Sequence, residues 1–225
     1  MKEILRTYKE TPASSISSRC IPIVVKGTVR GRLRPITMDT IHNDAEIKML
    51  TEWREASSTW FTTWFPVSEE GTRRWIEHQV VNADDRILFF VEDEELTPVG
   101  QVGLIHYDED KKECEFDNLL RGRKGKFGNI MIYALIALGT WSVNELNLQK
   151  GYIHVMADNF RAIRIHQSLG AEEVERIPLI RSEENGVTRW VRAPFPGEGT
   201  PERELVTMVI KRETFIQILG TNFMN

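Results

Sequence analysis

Between Arg121 and Gly128 the chain sets Arg121, Arg123, Lys124 and Lys126 among Gly122, Gly125 and Gly128, directly ahead of a long apolar segment. Glycines let a backbone approach a ligand closely, and a helix starting behind them offers unpaired N–H groups and its positive end. Cations, open backbone and a helix start together suit a phosphate or pyrophosphate. The spacing is neither the GxxxxGK[ST] of a Walker loop nor GxGxxG, because each glycine follows the last by three residues. Taken by itself, the loop is equally a solvated turn or a basic patch for nucleic acid.

A second group of reactive side chains lies just before the loop. Period-two alternation over 113–120 sends Glu113, Glu115 and Asp117 to one face and Cys114, Phe116 and Asn118 to the other. A row of carboxylates can hold a cationic amine and take its proton. It can also be a solvated strand face, which for Glu113 is the plainer reading. His106 and His166 are candidates to move a proton, the task to which imidazole chemistry is suited. Trp60, Phe61, Trp64 and Phe65 are either core or a platform for a flat ligand. Further on, 181–202 place Trp190 between Arg189 and Arg192, ahead of Pro194, Pro196 and Pro201. That composition reads as a shaped loop. It would form an acceptor wall with Arg189 or Arg192 meeting an anionic group, or else a surface excursion or dimer contact. No HExxH or cysteine ligand set is present, so no metal is expected.

Asn159-Phe160-Arg161-Ala162-Ile163-Arg164-Ile165-His166-Gln167-Ser168-Leu169-Gly170 resembles the N-x-x-A-x-x-L-Y-x-x-L-G-F signature of the GCN5-related N-acetyltransferase (GNAT) superfamily. Loop 121–128 resembles that superfamily's R/Q-x-x-G-x-G/A pyrophosphate loop, with Arg123 and Gly128 at its ends. The resemblance spans 30–215, and the segments around Trp53-Arg54-Glu55 and Trp75 look like the ribosomal-protein and amino-sugar branches. It implies an α/β (α+β) fold: a mixed, mostly antiparallel central sheet flanked by helices and splayed at the cofactor cleft. It also implies acetyl-CoA as co-substrate and direct transfer to a primary amine. Cofactor contacts are then expected from Leu119 and Leu120 on the splayed strand. Others fall to Arg123, Lys124, Gly125, Lys126, Phe127 and Gly128 in the loop, and to Asn159 and Ala162 on the motif helix. Glu115 and Asp117 would lie beside the acyl donor as catalytic groups. His166, at the family's tyrosine position, would protonate the departing thiolate. Lys126 stands where the loop usually has its first glycine, and Ala171 replaces an aromatic. The expected acceptor is a small amine, first of all a nucleotide-linked amino sugar, with a protein N-terminus as the alternative. A non-catalytic coenzyme A-binding or regulatory module is the rival from another class.

The elements that must position these residues are legible in outline. From Thr28 the chain alternates apolar and basic residues as a strand ending at Pro35. Asn43 and Ser68 cap helices bearing Ile47, Leu50 and Trp53, and Trp75, Ile76 and Val80. Strands are expected at 87–92, 99–107, 113–120, 152–157, 172–180 and 203–215, with helices at 129–144 and 159–170. This order implies a helix-covered mixed sheet. Residues 1–27 read as a loosely attached extension, 28–216 as the domain and 217–225 as a tail. The 225 residues, 41% apolar with a net charge of −4, fit a globular protein with no bulk attraction to nucleic acid or membrane. The longest uncharged run, 127–144, is broken by Gly128, Asn129, Gly139, Thr140, Ser142 and Asn144, which favours a buried helix over a membrane span. The N-terminus lacks the apolar stretch of a secretory signal. A cytoplasmic location is therefore expected, with Cys20 and Cys114 reduced and a homodimer as one assembly.

Overall fold

The computed structural model describes residues 2–193 and 201–223. Helix α1 (Lys2–Lys9) leads through a short 3-10 segment to β1 (Ile21–Val25), which turns into β2 (Thr28–Pro35). Helices α2 (Met38–Ile41) and α3 (Asp44–Ala56) follow, the latter capped by Asn43, whose side chain accepts from the Glu46 amide at 3.3 Å. Next come the two-residue β3 (Thr63–Trp64) and α4 (Glu69–Ile76), whose cap Ser68 accepts from the Gly71 amide at 3.1 Å. Strands β4 (Ile87–Asp93), β5 (Pro98–Asp108) and β6 (Glu113–Arg121) form an antiparallel meander. Helix α5 (Ile130–Glu145), β7 (Lys150–Met156) and α6 (Phe160–Ser168) form the crossover that follows. Strands β8 (Glu172–Glu184), β9 (Val187–Arg192) and β10 (Arg203–Lys211) precede α7 (Arg212–Phe223).

All ten strands join one sheet in the order β1-β2-β4-β5-β6-β7-β10-β8-β9-β3. Only β6 and β7 run parallel, and they pair over just three positions, Glu113↔Lys150, Cys114↔Gly151 and Glu115↔Tyr152. Past Glu115 the two strands diverge. The β7-facing edge of β6 from Phe116 to Leu120 is left without a ladder partner, so the sheet is splayed at its centre as expected. Opposite that gap β6 also breaks register with β5, and Asn118 takes a left-handed φ of 55°. Strand β4 is buried along its whole length, and α5 packs its apolar surface onto β1, β2 and α7. No helix among the described residues is long and apolar enough to cross a membrane.

Four expectations need correction. Residues 1–27 are not loosely attached: Leu5 and Ile23 are fully buried in the main core, and the Lys9 ammonium donates to the Val80 carbonyl at 3.3 Å. The expected final strand 203–215 stops at Lys211, and Arg212 begins a helix that buries Phe215 against Gly139 of α5. What read as a tail from 217 continues this helix to Phe223. The excursion at 181–202 is largely a hairpin. Strand β8 extends to Glu184, turns through Asn185 (φ 52°) and Gly186 (φ 76°), and returns as β9. Asn-Gly with both φ values positive is the turn that matches strand twist. Residues 194–200, with Pro194 and Pro196, lie outside the described residues.

Candidate active site

The gap between β6 and β7 opens into a cavity of about 400 Å³ bounded by the end of β6, the start of α5 and the N-terminal turn of α6. Leu119, Leu120, Gly128, Asn159 and Ala162 line it, as expected for a cofactor cleft. Asn159 is also the cap of α6, its side chain accepting from the Ala162 amide at 3.2 Å. None of the backbone N–H groups from Lys124 to Asn129 finds an acceptor among the described residues. Such a run of open amides ahead of a long helix is the chemistry a pyrophosphate requires.

The loop's cations divide differently from the expectation. Arg121 lines the cavity and is fixed by the Gly128 carbonyl at 3.2 Å. Arg123 points away, donating to the Pro98 carbonyl at 2.5 Å and resting on Met49. Lys126 is ion-paired with Glu95, and Lys124 is exposed. Gly125 backs onto Val99, and Phe127 packs on Tyr133 with ring centroids 5.6 Å apart. Of this loop the cavity wall therefore takes the Arg121 side chain and Gly128, whereas Arg123, Lys124, Gly125, Lys126 and Phe127 contribute no wall. Gly122 lies flat against Trp53 of α3: a Cβ there would sit 1.9 Å from the indole. That contact fastens the loop to the helix beneath it.

A second cavity, of about 360 Å³, lies on the other side of the gap and shares Trp60 with the first. Glu115, Asp117 and Asn118 enter it from β6, His154 from β7, His106 from β5 and Arg54 from α3. Phe61 and Phe65 line it too, so the aromatic cluster between α3 and α4 is wall as well as packing. Glu115 meets His154 Nδ1 at 2.9 Å, and this bond raises the imidazole above its ordinary value. Glu113 lies outside, paired with Lys150 at 2.6 Å. The three acids are thus not one open acidic face, because two carry cationic partners. Asp117 has no ion pair among the described residues. Its carboxylate accepts from the Asn118 side chain at 2.6 Å, and loss of water pushes its pKa up, opposed in part by the Asn118 backbone N–H.

Residues 30–172 match the sequence profile of the acetyltransferase (GNAT) domain. The chain belongs to the GNAT acetyltransferases. No curated protein sequence matches it. Among solved structures, a spermidine N-acetyltransferase from Vibrio cholerae in complex with CoA and spermine is similar at 16% identity and a TM-score of 0.62, covering 83% of this chain and 98% of that one. A dodecameric form of the Vibrio cholerae enzyme superposes with a TM-score of 0.59 at 17% identity, covering 84% of this chain and 98% of that one. At such identities the likeness is one of fold. As a GNAT member the chain is an acetyl-CoA-dependent N-acetyltransferase, and the cleft with its open amides fits that co-substrate. Among the described residues no cluster of three metal-ligating side chains occurs.

One motif position of this GNAT domain departs from its expected use. His166 is only 6% exposed and lies in the core beside Phe116, Leu135 and Phe215, on the side of α6 away from the cleft. Burial lowers its pKa to about 4, so the ring is neutral at physiological pH. It therefore does not reach a departing thiolate: the helix face that holds it is set by packing against β6 and α7. The residues that sequence reasoning passed over are His154, Arg54 and Arg86, each brought to the second cavity by a different element. For His154 a signal existed, since alternation along β7 puts it on the face of Tyr152, the residue opposite Glu115. Arg189 and Arg192 do not line the cavity. Arg192 pairs with Glu175 at 2.9 Å, while Arg189 pairs through its backbone with Thr63 and so holds the strand whose Thr62 and Thr63 form wall.

Proposed function

We propose that this acetyltransferase acetylates a small primary amine held between Asp117, Glu115 and His154, by direct transfer from acetyl-CoA bound in the adjoining cleft. One observation carries the reading. Two cavities flank the point where β6 leaves β7 and meet at Trp60, one bounded by Gly128 and Asn129, whose amides are open, the other by a carboxylate with a raised pKa. Bound acetyl-CoA supplies the activated acetyl group. The unpaired edge of β6 orients it, by offering backbone donors along Phe116–Leu120. Asp117, desolvated and without an ion-pair partner, takes a proton from the incoming ammonium. The free amine attacks the thioester carbonyl, the C–S bond breaks, and the coenzyme A thiolate leaves with the second proton that the new amide nitrogen releases. Glu115 and His154 form a fixed pair beside it, able to hold the amine's remaining N–H groups and to keep His154 charged.

Amine acetylation is also what the names of the Vibrio cholerae neighbours describe, and this supports the class of acceptor. A nucleotide-linked amino sugar finds less support. A cavity of about 360 Å³ sits at the small end of the range in which proteins enclose ligands, roughly 300–1,000 Å³. The test is release of free thiol from acetyl-CoA across a panel of primary amines. Release that depends on the amine, saturates, and is lost in Asp117→Asn is the expected result. A protein that binds coenzyme A but releases no thiol with any amine overturns the proposal.

A further inference from the structure

Arg54 is a cation in an unusual position. It projects from α3, is 8% exposed, and lines the cavity that holds Asp117 and Glu115. Its guanidinium lies 3.9 Å from the centroid of the Trp75 ring, with Phe65 at 5.9 Å and Phe61 at 6.0 Å. No carboxylate or carbonyl accepts from it among the described residues, whereas even the partly buried Arg34 is tied down. Arg34 is bonded to both Glu92 and Glu46, at 2.5 and 2.7 Å. A buried charge without hydrogen bonds is strongly destabilising, and stacking on aromatic rings offsets only part of that. Burial lowers Arg54 to about 10, and Asp117 is the carboxylate that acts on its charge from across the cavity. The rings pack on the guanidinium, and its N–H groups have no acceptor among the described residues beside the cavity that Arg54 lines. A guanidinium fork suits a carboxylate or phosphate, two parallel bonds at a time.

We infer that Arg54 and its three aromatic rings form an anion subsite for the acceptor, so that the substrate is an amine that also carries a carboxylate or phosphate group. The inference rests on the acetyl-transfer reading for where the amine lies, and adds what the other end of the molecule must be. Acetyl-CoA is not the source of the anion. Its phosphates belong with the open amides of 124–129, and Arg54 lines the second cavity, not the first. An acceptor charged at both ends spans the cavity: its ammonium meets Asp117, and its anion completes the hydrogen bonds Arg54 lacks.

The test compares propylamine, β-alanine and phosphoethanolamine as acceptors, in the wild type and in Arg54→Met and Arg54→Lys. Thiol release reports turnover, and calorimetry with coenzyme A present reports binding. Wild-type kcat/KM should favour an anionic amine over propylamine, with β-alanine against phosphoethanolamine deciding between carboxylate and phosphate. Arg54→Met, which keeps the apolar bulk among the rings, should lower kcat/KM for the anionic amine about 100-fold more than for propylamine. Arg54→Lys should fall between. In the unmutated protein, acetate or inorganic phosphate should compete with the acceptor and not with acetyl-CoA, which needs no variant to fold. Equal use of neutral and anionic amines, a preference unchanged in Arg54→Met, or competition against acetyl-CoA alone overturns the subsite. Arg54-dependent binding of an anionic amine without thiol release upholds the subsite and overturns the transfer reading. Failure of every anionic amine to bind overturns the subsite alone.

Discussion

The two cavities that meet at Trp60 are built in opposite ways. The proposed donor cleft is assembled mainly from two stretches of chain, the end of β6 through the first turn of α5 and the capped start of α6, with Ser57 and Trp60 closing it. Open backbone amides stand at its edge, and Arg121 on its wall is held by the Gly128 carbonyl. The proposed acceptor cavity takes one to three residues from each of α3, α4, β4's approach, β5, β6, β7 and β10, with more from 60–65, and its polar groups are mainly charged side chains. A ligand shared across a superfamily can be met by a local backbone device. An acceptor that differs between members must be met by side chains, and these can change without disturbing the fold.

Breaking the acceptor side alone gives the largest expected effect. Asp117→Asn should lower acceptor-dependent turnover by about 100-fold, with acetyl-CoA affinity by calorimetry unchanged. Because burial raises the Asp117 pKa, wild-type kcat/KM should fall with acid at a pH above the ordinary carboxylate range, and that limb should vanish in the variant. A loss of acetyl-CoA affinity would mean that the two cavities are not separate.

His166 sharpens the comparison by belonging to neither cavity. Its folded pKa of about 4 lies below the ordinary 6.5, so above pH 6.5 neither state takes a proton there and no stability changes. As pH falls below that value the unfolded chain binds a proton that the folded one refuses. At pH 5 the folded state should thereby lose about 2 kcal/mol, and below pH 4 the loss levels off. Denaturant melts of His166→Leu should lack this loss, while its turnover with saturating substrates stays near wild type. A large fall in turnover with normal stability would restore an acid role to this ring.

Arg121→Glu should weaken acetyl-CoA binding about tenfold, whereas Lys126→Glu should do less, since Lys126 is already paired with Glu95. Equal effects would return the pyrophosphate to the cations first expected. The smallest effect is assigned to Trp64→Ala. Trp64 packs edge-on against Trp190, with centroids 5.7 Å apart, and props the short strand that walls the acceptor cavity. A rise of a few-fold in acceptor KM, with kcat and acetyl-CoA affinity unaltered, is expected.

How much of this was legible follows the same division. The glycine- and cation-rich loop, the capped motif helix and the alternation of 113–120 are local patterns, and they sufficed for the superfamily and the splayed sheet. Asn185-Gly186 was an equally local hairpin signal, masked by the prolines that follow it. The N-terminal segment was misread because its few apolar residues, Leu5, Ile21 and Ile23, acquire their meaning only against α5 and β2. Spacing along the chain determined which residues share a face of a helix or strand, since that depends on backbone period alone. Which way that face turned was decided by packing. It put His166 into the core, turned Arg123 onto Pro98, and brought Arg54, Glu115, Asp117 and His154 to one cavity from elements far apart in the chain. Desolvation and pairing of charge are properties of that assembled space, and no stretch of sequence carries them by itself.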